Sequence, residues 1–290
     1  MKKLVFVMPL MAVSLLASCG NNPHKDEEYE VTFSVPVRED TILYGDKTQI
    51  VKWGEAPTKP KKDPYRVGYK FTGWYKDEKC SKIFDFQKDH IEGTTTLYSG
   101  WEEDPKFAVP LCFTSNVDEN TLVKKPNFYY KRDLNDDWEE GKGEELELRK
   151  GDKVYIGSDG SYLPNNFSLP TQSYNASGNI MSLINHKDFK SLYIVGGEQF
   201  WNLFRGDYEN PSCVVDASEL LLPATKLGNY CYQDMFMYTL LVKVPKLPAT
   251  TLADYCYSGM FYCCSNLLEA PELPATTLVY KCYYNMFAGC

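Results

Sequence analysis

The 290-residue sequence predicts a mainly β chain whose C-terminal third is an α/β solenoid. The strongest evidence is a sequence motif that begins with Leu-Pro-Ala-Thr and occurs three times. Its prolines are Pro223, Pro248 and Pro274, which are about 25 residues apart. A fixed period in this range indicates coils that bury their apolar faces only against neighbouring coils. Before the repeats, short runs of alternating apolar and polar residues are separated by Gly- and Pro-containing turns, which is typical of strands.

The N-terminus predicts an exported and anchored chain. Basic residues followed by the apolar run Leu4 to Leu16 are typical of a signal peptide, and the run is too short to span a membrane. The run ends in Leu-Ala-Ser-Cys19, which resembles the lipobox of bacterial lipoproteins and implies acylation of Cys19 at the end of a 1–19 signal segment. Acyl chains anchor a protein without a transmembrane helix. The alternative is an ordinary signal peptide with a chance cysteine.

Residues 20–28 are a polar tether. Its Lys25-Asp-Glu segment resembles the surface-export signal of Bacteroidetes lipoproteins, and the alternative is a merely solvated linker. Together with the lipobox, this resemblance implies an outer-membrane, lipid-anchored protein at the cell surface. The lipid anchor is then the only expected contact with the membrane.

Residues 29–104 form a strand-rich module with Trp74 and Trp101 as its predicted core. It begins with the alternating segment Tyr29 to Phe33 and contains the motif Pro-Tyr-Arg-Val-Gly-Tyr-Lys-Phe-Thr-Gly-Trp-Tyr at 64–75. The segment resembles an internalin B-repeat, also called a Listeria-Bacteroides repeat. That resemblance implies a β-grasp-like fold that serves as a spacer or weak contact domain and carries no catalytic site.

Residues 105–175 predict a small β-sandwich, because short strand candidates alternate with polar, Asp- and Gly-rich turns. The segment resembles domains that precede this repeat type in gut-bacterial surface proteins. Carbohydrate-binding sandwiches share this outline, so Trp138 and Tyr155 are candidate sugar-stacking residues. The alternative is that both aromatic side chains pack in the core or against turns.

Residues 176–290 contain the repeats: a degenerate first coil at 176–221 and regular copies at 222–290, the last of them incomplete. In each copy, an extended segment precedes a Thr that can cap a short helix. The inward positions of that helix, at spacings of about four, are Leu278, Cys282, Met286 and Phe287. The copies resemble the BspA-type leucine-rich repeats of bacterial surface proteins, which implies a leucine-rich-repeat solenoid. The last copy stops at Cys290, before its extended segment, so the expectation is either a chain that is cut short or a last coil that frays.

Ten cysteines in an exported chain raise the possibility of disulfides. Cys231, Cys256 and Cys282, however, recur in phase, as do Cys264 and Cys290. In-phase positions stack in the core of a solenoid, where a free Cys behaves as a small hydrophobe. Stacked thiols are therefore the favoured expectation, and bridges between neighbouring coils are the alternative.

Composition and motifs argue against several functional classes. The net charge of −8 makes nucleic acid an unexpected partner. The three histidines have no Cys or carboxylate at ligand spacing, so neither a zinc site nor a Ser-His-Asp arrangement is predicted. The sequence also lacks a phosphate-binding Gly-rich motif. The expectation is a protein that is not an enzyme and has no cofactor and no metal.

The predicted function is non-catalytic adhesion, in which the solenoid contacts a protein, matrix or cell-surface ligand that the sequence does not identify. The alternative is a surface lipoprotein that binds glycans through residues 105–175. Alignment of the copies puts Lys243 in phase with Glu269, and Lys246 in phase with Glu272. These four residues form a candidate contact strip along the extended segments. The alternative is that they are ordinary solvated positions.

Overall fold

The computed structural model describes His24, residues 26–160 and residues 168–290. The fold is almost entirely β, with 32% of residues in strands and 3% in helical turns. Within the described ranges the helical turns are 3₁₀ helices at Pro105–Ala108 and Ile180–Leu183. No helix in this part of the chain has the length and apolar character needed to cross a membrane.

The N-terminal module is one six-stranded sheet with the strand order β2-β4-β5-β6-β1-β3. Its strands are β1 (Glu28–Ser34), β2 (Thr41–Ile42), β3 (Thr48–Lys52), β4 (Tyr65–Arg66), β5 (Tyr69–Tyr75) and β6 (Thr95–Glu103). The first and last strands, β1 and β6, pair in parallel at the centre. Burial alternates along β1, with Val31 and Phe33 inside, because successive side chains of a strand point to opposite faces.

Aromatic side chains fill the core of this module. Trp74 is buried and meets Phe33 edge-on at 4.9 Å between ring centroids. Trp101 is only partly buried and contacts Phe71 at 5.5 Å. The module has a hydrophobic cluster of its own, separate from that of the rest of the chain.

A second six-stranded sheet, with the order β10-β9-β12-β7-β13-β15, precedes and joins the repeats. The strands after the first module are β7 (Leu111–Ser115), β8 (Asn120–Val123), β9 (Phe128–Lys131), β10 (Glu139–Glu140), β11 (Glu145–Leu148), β12 (Lys153–Ser158), β13 (Tyr174–Asn179), β14 (Ile194–Val195), β15 (Val214–Leu221) and β16 (Lys226–Leu227). Strands β8 and β11 form a separate pair, as do β14 and β16.

The sheet and the repeats share one hydrophobic core that extends from Leu111 to Met286. The sequence-based boundary between residues 175 and 176 falls inside β13, which pairs in parallel with β15. Isolated parallel bridges then connect β15 to the next extended segment, for example Asp216 to Lys243. The sheet therefore continues as the extended side of the repeats.

The other side of each repeat is a turn ribbon. The first to fourth ribbons are residues 198–206, 230–238, 255–263 and 281–289. Within a ribbon, alternate amides donate to the carbonyl three residues earlier, as Met235 N does to Tyr232 O at 3.3 Å. The amides between them donate to the next ribbon, as Tyr232 N does to Cys256 O at 2.9 Å. Every interior ribbon therefore satisfies its backbone without a helix.

Every fourth residue of a ribbon has a positive φ angle, as shown by Tyr230 (60°), Asp234 (52°) and Tyr238 (53°). A residue other than Gly pays roughly 1 to 2 kcal/mol for this conformation. A positive φ cannot occur in a right-handed α-helix, whose residues have φ near −60°. The predicted C-terminal α/β solenoid is therefore wrong, because these residues form stacked turns.

The predicted inward spacing of about four has a different origin from the one expected. Turns that repeat every four residues bury residues in adjacent pairs, such as Cys231 with Tyr232 and Met235 with Phe236. The side chain of Leu278, expected inside the last helix, is 64% exposed. Of the other three positions expected to point inward, Cys282 and Met286 are buried and Phe287 is partly buried.

Two columns of stacked rings run through the ribbons. One column has ring centroids 4.9, 5.6 and 5.7 Å apart and consists of Phe204, Phe236, Phe261 and Phe287. The other has centroids 5.6, 5.6 and 5.8 Å apart and consists of Phe200, Tyr232, Tyr257 and Tyr283. Buried free thiols at Cys231 and Cys256 lie beside the columns, and burial raises the pKa of Cys256 to about 11.

Replacement of Phe261 by Ala tests the cohesion of the stack. We expect the free energy of unfolding to fall by about 3 to 5 kcal/mol, because a buried Phe at the centre of a ring column leaves a cavity. Hydrogen exchange should rise across residues 222–290 and change little before residue 104. The control is Tyr262→Ala, at a partly exposed neighbour. An equal rise of hydrogen exchange in both regions would contradict the conclusion that the first module and the repeats have separate hydrophobic cores.

Candidate functional site

The N-terminal module is docked on the repeats through two tyrosines. Tyr65 Oη donates to Pro223 O at 3.3 Å, and Tyr44 Oη donates to Pro248 O at 3.1 Å. The two prolines occupy the same position in successive copies of the Leu-Pro-Ala-Thr phrase. The module thus contacts in-phase carbonyls of two neighbouring coils.

Charged groups extend this contact on both sides. Lys62 Nζ lies 2.6 Å from Glu272 Oε2 and 4.4 Å from the ring centroid of Tyr44. At the other end, Glu39 O accepts a hydrogen bond from Thr225 Oγ1 at 2.7 Å. The carboxylate of Glu39 accepts from Tyr193 Oη at 3.4 Å. We call this set of contacts the docking interface.

Tyr44 and Tyr65 of the docking interface are held in their neutral form. Burial, with the nearby Glu272 carboxylate as a smaller cause, raises the pKa of Tyr44 from 10.0 to about 12. Burial raises the pKa of Tyr65 further still. The hydrogen bond from Lys62 lowers the pKa of Glu272. A neutral hydroxyl can donate to a carbonyl, whereas a phenolate cannot.

In the structure, Lys243 and Glu272 of the candidate contact strip form ion pairs with residues outside the strip. Lys243 Nζ lies 3.2 Å from Asp216 Oδ2, so Lys243 faces the preceding extended segment, and no Lys243–Glu269 ion pair occurs in the described part of the chain. Glu272 contacts Lys62 of the module, with Lys246 close enough to lower its pKa further. Asp216 occupies in the degenerate coil the position that Glu269 has in a regular copy, and the candidate strip, which was taken from the regular copies, did not include it.

The two candidate sugar-stacking residues lie on the outer face of the second sheet. Tyr155 is only 7% exposed. Trp138 meets the ring of His186 edge-on at 5.4 Å, and Lys131 Nζ covers its ring at 4.9 Å. Gly157 makes this packing possible, because a Cβ there would clash with His186. Both aromatic side chains are therefore engaged by protein groups.

The outer surface of the ribbons, which we call the turn face, exposes large aromatic side chains. Tyr280 and Tyr284 are 61% and 52% exposed. Lys281 Nζ lies between them, 5.3 and 4.9 Å from their ring centroids, and 5.4 Å from that of Tyr255. A cation within about 6 Å of a ring face is attracted by its quadrupole. Lys281 and the tyrosines around it therefore form an exposed aromatic cluster that contains a cation.

Asp234 is the half-buried acidic group of the turn face. Burial raises its pKa, and Arg205, whose Nη1 lies 3.8 Å from Oδ2, opposes that shift. The carboxylate lies over Gly259 of the next ribbon, where any Cβ would clash with it. Gly259 also has a positive φ of 62°, so the backbone conformation and the Asp234 carboxylate both favour glycine at this position.

The described ranges contain no group of three or more His, Cys, Asp or Glu side chains placed to hold a metal ion. An open depression of about 420 Å³ lies where the second sheet meets the first ribbon. Its lining includes Thr171, Asn202, Arg205 and Asn210. These groups are polar, and the depression is shallow and open to solvent.

Comparisons with known proteins match parts of this chain. Residues 29–100 match the Listeria-Bacteroides repeat domain, which confirms the resemblance predicted for this segment. A protein of Evansella cellulosilytica inferred to be a Gly-rich membrane protein is 39% identical over 51 residues, which is 18% of this chain and 6% of the relative. A second protein of the same organism, inferred to be a membrane protein, is 42% identical over 48 residues, which is 17% of this chain and 7% of the relative. The chain thus spans a small fraction of these relatives.

The docking interface predicts a pH dependence of stability. In the unfolded chain Tyr44 ionises near 10.0, whereas in the folded chain it stays neutral up to about 12. Its raised pKa therefore contributes stability that is complete below pH 10 and is lost as the pH rises through 12. Between these values, the free energy of unfolding should fall less steeply for Tyr44→Phe than for the native chain.

Denaturant titrations at several pH values would measure this difference. Tyr208→Phe is the matched control, because Tyr208 is exposed and lies far along the chain from the module. It should leave the native pH dependence unchanged. Identical slopes for the native chain and Tyr44→Phe would mean that Tyr44 is not buried against the repeats.

Proposed function

We propose that this chain is a non-catalytic surface protein whose turn face contacts a protein ligand. The observation that carries the proposal is the exposed cluster of Tyr280, Lys281 and Tyr284 on a surface built from repeats. Tyrosine is enriched at protein interfaces and at their energetic hot spots. The docking interface occupies the Leu-Pro-Ala-Thr loops and leaves these tyrosines exposed.

Surface location rests on the first module and on the N-terminal sequence. The Listeria-Bacteroides repeat is a surface-type repeat. The lipobox cysteine, Cys19, lies outside the described residues, and its acylation would anchor the chain to the outer membrane. Two relatives that share part of this sequence are inferred to be membrane proteins, which fits a membrane-associated location. The phrase shared with BspA-type repeats supports the same surface role.

The state of the aromatic side chains supports binding to a protein rather than to a glycan. Sugar recognition by stacking needs an accessible ring face. Tyr155 is buried and Trp138 packs against Lys131 and His186. Tyr280 and Tyr284, in contrast, combine exposure with a neighbouring cation and repeated backbone turns.

Replacement of both Tyr280 and Tyr284 by Ala should weaken adhesion to immobilised extracellular-matrix protein at least about tenfold, because each hot-spot tyrosine contributes more than about 1 kcal/mol. Surface plasmon resonance would measure the affinity, and the melting temperature would report folding. The comparison variant is Lys243→Glu with Lys246→Glu. Loss of affinity in that variant alone would move the binding site to the extended side of the coils.

A second substitution tests the anchor. Cys19→Ser should release the protein from the membrane fraction, because the thioether-linked lipid can no longer form. Cell fractionation followed by a carbonate wash would measure the distribution. A protein that stayed with the outer membrane after the wash would have to be anchored by another means.

A further inference from the structure

An insertion follows the first ribbon. In the second coil Tyr238 is followed directly by Thr239, whereas in the first coil residues 207–211 separate the in-phase Gly206 from Ser212. A parallel bridge between Ser212 and Thr239 fixes this alignment. Insertions into repeats form loops on one face of a solenoid, and that face is often the one that binds. We call residues 207–211 the insertion loop.

Hydrogen bonds within the insertion loop stabilise its conformation. Asp207 Oδ1 accepts from the backbone amides of Glu209 at 3.0 Å and Asn210 at 2.7 Å. Asp207 N donates to Asn210 O at 3.1 Å. At the end of the loop, Ser212 N donates to Tyr238 O of the second ribbon at 3.0 Å. The side chains of the loop are therefore held in place before a ligand arrives, which lowers the entropic cost of binding.

The insertion loop lines the depression of about 420 Å³ between the second sheet and the first ribbon. Residues 169–171, which lead into the second sheet, line it as well, together with Asn202 and Arg205 of the first ribbon. Ligand sites of proteins occur preferentially where two structural units meet, and small-molecule sites have volumes of about 300 to 1,000 Å³. The depression has the position and the size of such a site.

The depression contains hydrogen-bonding groups that the protein itself does not use. Within the described residues, the guanidinium of Arg205 makes one hydrogen bond, to Asn202 Oδ1 at 3.1 Å, and one longer ion pair, with Asp234 at 3.8 Å. A guanidinium has more N–H donors than these two contacts occupy. In the same part of the chain, Asn202 Nδ2 and Asp207 Oδ2 make no hydrogen bond. The depression therefore offers donors and acceptors side by side.

The charges of the depression argue against an ionic ligand. Arg205 supplies positive charge, and Asp207 and the neighbouring Asp234 offset it. The described ranges contain no cluster of side chains that could hold a metal ion. An apolar ligand would leave the polar groups of the depression without partners. A neutral ligand with several hydroxyl groups fits these conditions, because each hydroxyl both donates and accepts.

Tyr208 adds an accessible aromatic ring to the insertion loop. Its side chain is 86% exposed, and its ring meets that of Tyr238 edge-on at 6.4 Å. The aromatic candidates of the second sheet, Trp138 and Tyr155, are engaged by protein groups, whereas Tyr208 is open to solvent. A tyrosine ring combines an apolar face with a polar tip, so it can pack on the C–H face of a sugar ring.

We propose that the depression beside the insertion loop binds a neutral saccharide. Arg205 and Asn202 donate to hydroxyl oxygens of the sugar, Asp207 Oδ2 accepts from a hydroxyl, and Tyr208 packs on one face of the ring. This site belongs to the first coil, whereas the tyrosine cluster of the proposed protein site lies on the fourth ribbon. The saccharide site does not depend on the proposed function.

NMR titration of the ¹⁵N-labelled chain tests the proposal. The probes are the methyl glycosides of glucose, galactose, mannose and N-acetylglucosamine. At least one of them should shift the side-chain amide signals of Asn202 and Asn210, with a Kd of about 1 mM or below. No shift of these two signals with any of the glycosides would overturn the proposal.

Variants locate the binding. Arg205→Ala and Tyr208→Ala should each weaken the affinity at least about tenfold, because the sugar loses a charged donor or its ring contact. Arg132→Ala is the matched control: Arg132 is 44% exposed and Arg205 39%, and each lies beside an aspartate. It should leave the affinity unchanged, and an equal loss in this control would contradict the assignment.

Two further measurements complete the test. Melting temperatures report whether the variants fold, and if Arg205→Ala does not fold, the test rests on Tyr208→Ala, whose side chain is exposed. Glucuronate is the anionic probe. Binding of glucuronate at least about tenfold more tightly than every neutral glycoside would show an anion site at Arg205 and overturn the proposal. Equal or weaker binding of glucuronate would support it.

Discussion

The C-terminal structure depends on hydrogen bonds that all run in one direction between ribbons. Each ribbon donates alternate amides to the next, as Phe236 N does to Met260 O at 2.8 Å. This pairing fixes the register, and the register aligns rings such as Phe236 and Phe261 into columns. Because the backbone and the core impose the same phase, exposed positions of a ribbon are free to vary between copies.

The docking interface uses the same phase for a different purpose. Tyr65 and Tyr44 reach carbonyls of Pro223 and Pro248, which lie one repeat apart. Their separation in the module must therefore match the distance between neighbouring coils. This arrangement covers the Leu-Pro-Ala-Thr loops with a surface-type module and leaves Tyr280 and Tyr284 of the turn face exposed.

Sequence reasoning predicted the repeat phase, the core aromatics and the first module, but assigned the wrong backbone to the repeats. A burial interval of about four suits both an α-helix and a ribbon of four-residue turns. Asp234, Gly259 and Asn285 recur where φ is positive, and they are residues that tolerate this conformation, so the signal was present. The contact of Tyr44 with Pro248 had no local signal, because the two residues lie far apart in the chain.

The most direct test of the stacked-turn account is an NMR measurement of backbone φ angles in the second and third ribbons. The account predicts positive φ at Tyr230, Asp234 and Tyr238, and at the in-phase Tyr255, Gly259 and Cys263. Intraresidue amide-to-Hα distances and couplings report the sign of φ. Negative φ at all these positions, together with amides bonded four residues back, would show a helix and contradict the account.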